Sequence, residues 1–443
     1  MLTYLKNATL SSPLIKGFGG QKKNILIEDE YIKEVSDRDI SLSDDIRVID
    51  CEGLLVLPGV IDVHVHFRQP GAEYKADMLS ESKAALMGGV TTVFDMPNNT
   101  PAIVTKSLLE EKLNLCKQNM LCNYGLYFGL TNDNIEEAIS IDRNSIVGLK
   151  LFLGSSTGNM LVDEQDSIVN LFKNSPFIVT AHCEDEQRIK ANAVKYKQLQ
   201  ILPYNIHNLI RDEQVCYKSS AYAIDLAKKY GTQFHLAHLT TAKEIALLSN
   251  EKIANKNITS EVSPNHLFFC QEDYKQLGNL IKCNPSIKTS EDRRLLRQAL
   301  KEGFIDMVAT DHAPHLIQEK QQPYFQSPSG IPSIQFSLLM MLQIAKQEGW
   351  NLSLIAEKMS ENPAQRFNIK KRGFIKEGYF ADLVFVKLGQ KMRVSQNDIL
   401  SKCKWSPLEG YTFDNSISMT MLNGKIVAKD GVINKDLCKS MQV

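Results

Sequence analysis

From Val60 onward, short apolar runs alternate with segments whose apolar residues recur at helical spacing, a pattern that predicts parallel strands joined by helices. Eight runs read as strands: Val60–His66, Val90–Met96, Asn123–Leu130, Ile146–Phe152, Phe177–His182, Gln233–His238, Ile258–Val262 and Asp306–Asp311. Helices fall between most of them. Thr105 is placed to cap one containing Leu108, Leu109 and Leu113. Val215 to Tyr230 forms another that stops at Gly231, and Thr289 or Ser290 caps a third through Leu295, Leu296 and Leu300. Eight strands with their helices over about 300 residues predict an α/β fold, a (β/α)8 TIM-like barrel. The apolar run Leu54 to Ile61, interrupted by Gly59, reads as the lead into the first barrel strand. Outside the barrel the pattern is strand-like: Ile25-Leu26-Ile27, Tyr31 to Val35 and Ile46 to Ile49 before it, Leu383 to Val386 and Met419 to Val427 after it. The predicted division is a barrel over 58–368 and one small β-rich domain built from residues 1–57 and 369–443.

The polar positions in this pattern are not scattered. His64, His66, Asn98, Lys150, His182, His238 and Asp311 each lie at or just past the C-terminal end of a predicted strand, the face where such barrels assemble active sites. Strand alternation puts Asp62, His64 and His66 on one side and Val63, Val65 and Phe67 on the other. Two imidazoles so spaced are placed to bind one metal ion, although alone they equally fit a core strand with hydrogen-bonded histidines. Four such histidines plus Asp311 exceed the needs of one open metal site and fit two metals about 3.5–4 Å apart sharing a bridging hydroxide. Lys150 stands alone in the apolar run Ile146–Phe152, where a charged ammonium is costly to bury. Desolvation favours its neutral amine, which can add CO2 to become a carbamate with two bridging oxygens. Snorkelling past the strand end to water is the simpler reading of that lysine in isolation.

Composition narrows the function classes. The chain has 443 residues with 51 basic and 51 acidic side chains, a balance that gives no reason to expect nucleic acid or an anionic membrane surface as partner. No apolar run reaches the roughly 18 residues of a membrane span, and no signal-peptide pattern opens the chain. Nine cysteines without a C-x-x-C pair read as reduced thiols of a cytoplasmic protein.

The motifs themselves carry a resemblance. His64-Val65-His66-Phe67-Arg68-Gln69-Pro70-Gly71, Asp95-Met96-Pro97-Asn98, Gly148-Leu149-Lys150-Leu151-Phe152 and Ala181-His182-Cys183-Glu184 are followed by Ala237-His238, Glu261-Val262-Ser263-Pro264 and Asn284-Pro285. Ala309-Thr310-Asp311-His312-Ala313-Pro314-His315, Asn362-Pro363-Ala364 and Ala381-Asp382-Leu383-Val384 complete the set. In this order and spacing they resemble the amidohydrolase superfamily, and within it the dihydroorotases, the cyclic amidohydrolases of pyrimidine biosynthesis. The resemblance implies reversible cyclisation of N-carbamoyl-L-aspartate to L-dihydroorotate at a binuclear centre of two divalent metal ions, zinc by expectation. His64, His66 and Asp311 would hold one metal and His182 and His238 the other. Lys150, carrying a CO2-derived carbamate, would bridge them, with Asp311 as general acid and base. Arg68, Asn98 and His315 match positions that hold the substrate carboxylate, and Asn284 matches a further substrate contact. A homodimer is a further expectation.

Arg68 and Asn98 separate this reading from dihydropyrimidinases and allantoinases, whose rings carry no carboxylate there and would leave the guanidinium unpaired. A non-catalytic scaffold of the same fold would be expected to lack metal ligands, and none is missing. The sequence departs from the common pattern at Asn265, where many relatives carry histidine, and in Gly330-Ile331-Pro332-Ser333-Ile334-Gln335, where glutamate is more usual near the end. The segment from His315 to Ser329 is long and without periodicity, which suggests a lid that orders over substrate.

Overall fold

The structure, a computed structural model, describes residues 1–11, 20–40, 46–154 and 160–443. Eight parallel strands form a barrel in sequential order: β1 (Val60–Val65), β2 (Val90–Asp95), β3 (Asn123–Gly129), β4 (Gly148–Phe152), β5 (Val179–His182), β6 (Phe234–Leu236), β7 (Ile258–Val262) and β8 (Met307–Val308). The ring is closed by a parallel bridge between Val65 and His312, where the His66 N–H donates to the His312 carbonyl at 2.8 Å. The predicted helices are present. Thr105 caps Lys106–Asn119 through Leu108 N–H, Glu213–Tyr230 stops at Gly231 in the left-handed region, and Thr289 forms a reciprocal cap with Asp292 at the start of Ser290–Glu302.

Two strand ends differ from the sequence pattern for a reason that matters to the site. β6 and β8 stop before His238 and Asp311, both of which adopt left-handed backbone at φ 35° and 49°. Arg68, beyond β1, does the same at φ 66°. Such conformations are uphill for side chains with a Cβ and persist where the surroundings impose them. At Asp311 the imposing group is visible: the buried Asp62 carboxylate accepts from Thr310 N–H at 3.0 Å and from its hydroxyl at 2.6 Å, bending the chain inward.

Strands from both ends of the chain share one sheet beside the barrel. Leu54–Pro58 pairs antiparallel with Leu383–Lys387, joining Leu2–Ser11, Gly20–Glu28 and Tyr31–Ser36 to Ser416–Leu422, Lys425–Lys429 and Val432–Ile433. The apolar run expected to lead into β1 is therefore two strands in two sheets. Gly59 is the crossing point: a Cβ there would lie 2.3 Å from the Thr91 hydroxyl, so only glycine passes. The run Met419 to Val427 is likewise a hairpin, turning at Asn423-Gly424 with both residues at positive φ. Leu5, Ile25, Val56, Phe385 and Met421 fill this sheet's own core.

All nine cysteines are free thiols and eight are buried. Among the described residues no helix is long and apolar enough to cross a membrane. The segment from His315 to Ser329, expected to order over substrate, has structure of its own. It contains the helix Ile317–Lys320 and buries Lys320 and Ser327.

Candidate active site

A cavity of about 250 Å³ opens at the C-terminal ends of the strands, and all ten residues singled out in the sequence line it. They are His64, His66, Arg68, Asn98, Lys150, His182, His238, Asn284, Asp311 and His315, joined by Phe152, Ala313 and the wall Pro328-Ser329-Gly330.

The hydrogen bonds on the far side of each ring fix which nitrogen faces the cavity. Glu261 accepts from His64 Nδ1, so that nitrogen carries the proton and His64 Nε2 presents a lone pair. The Asn98 carbonyl, 2.7 Å from His66 Nδ1, orients that ring in the same sense. Both lone pairs point at Asp311 Oδ1, at 3.4 Å from His64 and 3.0 Å from His66. Two lone pairs and a carboxylate oxygen with no proton to share repel one another, and a cation between them removes the conflict. These three donor atoms lie within 4.8 Å of one another, so the residues present fit a metal ion.

A second pair sits across the cavity. His182 Nε2–H donates to the Glu184 carboxylate at 3.0 Å, which leaves His182 Nδ1 as a lone pair facing His238 Nε2 at 2.9 Å. The His238 Nδ1 is buried without a partner among the described residues. Burial holds the His66 ring at about 4 and keeps His182 and His238 below the ordinary histidine range, so all three are neutral, the form that ligates.

Between the two pairs lies Lys150, 1% exposed, with Nζ 3.5 Å from His64 Nε2. Burial pulls its amine down to about 8, despite the attraction of Glu261 and Asp311. The snorkelling alternative is excluded, because the side chain does not reach water.

At the other end of the cavity Arg68 donates from Nε to the Pro314 carbonyl at 3.1 Å and approaches His315 Nε2 at 3.2 Å. Both partners are neutral. His315 also meets the Lys75 ammonium at 3.1 Å and the Ser329 carbonyl at 3.1 Å. Burial, then the charges of Arg68, Lys75 and Lys320, push its ring far below the usual range and keep it uncharged. The Asn284 carboxamide oxygen is buried with no partner among the described residues.

Residues that sequence reasoning gave no role hold these groups in place. Glu261 links His64 to His235, 3.1 Å from its second oxygen, and Glu184 is also paired with Arg211. The buried ammonium of Lys112 bonds Asp95 at 2.7 Å, the Met96 carbonyl and the Asn99 side chain, tying down the loop that carries Asn98. Glu184 could have been found from its place two residues beyond His182; Lys112 offered no signal beyond a charge within a helix. The two departures from the family pattern meet in space: Asn265 donates to the Ser333 hydroxyl at 3.3 Å. Gln335 bonds the main chain at Asp398 and Leu400.

Residues 55–427 match the amidohydrolase family. A dihydroorotase of Methanosarcina acetivorans is 32% identical over 398 residues, which span 87% of this chain and 84% of that protein. One from Staphylococcus epidermidis is 31% identical over 414 residues, spanning 92% and 95%. Among solved structures, an L-hydantoinase (dihydropyrimidinase) from Arthrobacter aurescens superimposes with a TM-score of 0.91 over 98% of this chain and 97% of its own, at 24% identity. A dihydropyrimidinase from Brevibacillus agri gives 0.90 over 100% and 98%, at 19% identity. At these identities the structural likeness concerns the fold.

Proposed function

The chain belongs to the amidohydrolase family, and from that premise we propose that it is a dihydroorotase, interconverting N-carbamoyl-L-aspartate and L-dihydroorotate. The observation that carries this choice is Arg68. It is a cavity-lining guanidinium whose direct partners are a carbonyl and an uncharged ring. A cation so placed calls for an anion, and dihydroorotate supplies a carboxylate where dihydrouracil has hydrogen. Relatives about 30% identical that bear the name dihydroorotase support the same reading.

The donor set is imidazole and carboxylate, which suits zinc. His64, His66 and Asp311 would hold one ion, His182 and His238 a second, and Lys150, as its carbamate, would bridge them. Divalent cations held there would acidify a water and polarise the ring carbonyl. The chain's own groups do the rest. Asp311, ionised and at the centre of the cluster, takes the proton of the attacking water and delivers it to the departing ring nitrogen. Arg68, with Asn98 and the neutral His315, grips the carboxylate and fixes the ring's orientation. Asn284 offers its unpaired oxygen to a substrate N–H. Ring closure runs the same steps backwards and takes up one proton per turnover, so acid favours dihydroorotate. Nine unpaired thiols suit the reducing cytoplasm.

The test is a substrate panel of dihydroorotate, dihydrouracil and allantoin run with metal analysis of the same preparation. Turnover of dihydroorotate with little on the other two is expected. A preference for dihydrouracil would overturn the assignment.

A further inference from the structure

The cavity wall Pro328-Ser329-Gly330 is built on a buried lysine. Lys320 ends the helix Ile317–Lys320 and is 1% exposed. Its ammonium donates to three main-chain carbonyls, Lys282 at 3.0 Å, Pro328 at 3.0 Å and Gly330 at 2.9 Å. Those bonds use all three of its protons, and no carboxylate is among the acceptors. Burial pulls this amine down to about 7, and the three carbonyls that converge on it favour the protonated form, the arrangement of a bound structural cation, here attached to the chain itself. A second lysine extends it: Lys282 donates to the Tyr324 carbonyl at 2.7 Å and the Ser327 carbonyl at 2.5 Å. The Gly330 N–H closes back on the Lys282 carbonyl at 2.9 Å.

The segments so gathered carry the carboxylate end of the cavity. Ser329, between two clasped residues, sets the His315 ring through its carbonyl, and His315 contacts Arg68. Asn284 lies two residues beyond Lys282. Gly330 packs so closely that a Cβ would lie 2.4 Å from the Ala313 carbonyl. Lys320 touches none of the cavity itself.

We propose that Lys320, backed by Lys282, is a positioning residue for substrate recognition: a built-in cation that holds the Ser329 carbonyl, His315 and Asn284 in the geometry that receives the ring carboxylate. The inference rests on the dihydroorotase reading. It assigns the segment 315–330 a preformed specificity wall in place of a closing lid.

Lys320→Met keeps the length and apolar stem but removes the charge and all three donors. The KM for dihydroorotate is expected to rise about ten-fold or more, with kcat within about three-fold of wild type and bound metal unchanged. Proteolysis between 321 and 328 should accelerate in the same variant. An unchanged KM overturns the clasp, and so does a loss of kcat and metal in step with KM, which would mark a general packing role. Should Lys320→Met fail to fold, Lys282→Met, which frees only the Tyr324 and Ser327 carbonyls, decides by the same KM-against-kcat split. A wild-type protein that leaves dihydroorotate untouched overturns the underlying reading and this role with it, an outcome distinct from a wild type that works beside an unaltered variant.

Discussion

Replacing Glu261 should separate two contributions that a second layer of residues makes to a metal centre. The carboxylate is fully buried and receives His64 Nδ1, His235 Nε2 at 3.1 Å and the His238 N–H at 3.3 Å. Burial alone would raise its pKa, but His64 and His235 outweigh that and hold it well below the carboxylate range. Glutamine keeps one oxygen, enough to hold the proton on His64 Nδ1. Its amide can then donate to His235, whose other nitrogen faces the Thr259 hydroxyl at 2.9 Å and is free to exchange tautomer. Glu261→Gln therefore removes charge but preserves the orientation of His64. Loss of outer-layer partners typically weakens metal binding about 10–100-fold, or about 1.4–2.7 kcal/mol, and the glutamine variant should fall at the lower end. Glu261→Leu strips the acceptor from three buried N–H groups, those of His64, His235 and the His238 main chain, costs about 1–3 kcal/mol of stability for each, and should reach or exceed the upper end of the affinity loss. Apparent metal affinity by chelator competition, with metal content by mass spectrometry, reads both. A leucine variant with wild-type affinity would refute the orientation argument. A glutamine variant as impaired as leucine would mean that the charge, not the tautomer, is what His64 needs.

Arg68→Ala should cost at least about 2–4 kcal/mol in kcat/KM for dihydroorotate, since it leaves the substrate carboxylate without its cation, and Arg68→Lys should recover little of the paired geometry; steady-state kinetics with unchanged metal content checks this. With its amine held at about 8, Lys150 is mostly protonated in mild acid, and only the neutral form adds CO2. At fixed dissolved CO2, metal-stripped protein should therefore reload metal roughly 20-fold faster at pH 8.5 than at pH 6.5, and a rate flat over that range would remove Lys150 as the bridge. Gly330→Ala places a Cβ 2.4 Å from the Ala313 carbonyl at a φ of 150°, and should lose about 1–3 kcal/mol in chemical denaturation while raising KM.

How much of this was legible in the sequence varied with the kind of signal. The barrel strands declared themselves because they are buried along their whole length, as the unbroken burial of Val90–Asp95 and Asn123–Gly129 shows. The site residues were legible because they are the polar exceptions at those strands' ends. Leu2–Ser11 escaped notice, since a register shift between Leu5 and Ala8, with Asn7 at φ 60°, breaks the alternation that marks a strand. Gly59 hid a change of sheet inside one apolar run. Lys112, Lys282 and Lys320 look like ordinary surface charges in sequence. Their burial depends on carbonyls and carboxylates brought in by other segments, which no local pattern records.

The pairing of Leu54–Pro58 with Leu383–Lys387 has a consequence for synthesis on the ribosome. At about 5–20 residues per second, roughly 15–65 s separate the emergence of the two strands. During that interval Leu54–Pro58, buried at every position in the finished protein, has one edge without its partner, and β1 begins two residues later. The barrel closes through Val65 and His312, so it can be completed while the neighbouring sheet is still short of its joining strand. Nascent chains stalled between these two points would present an apolar strand edge beside a folded barrel, the kind of surface that holding chaperones cover and that truncated chains use to aggregate.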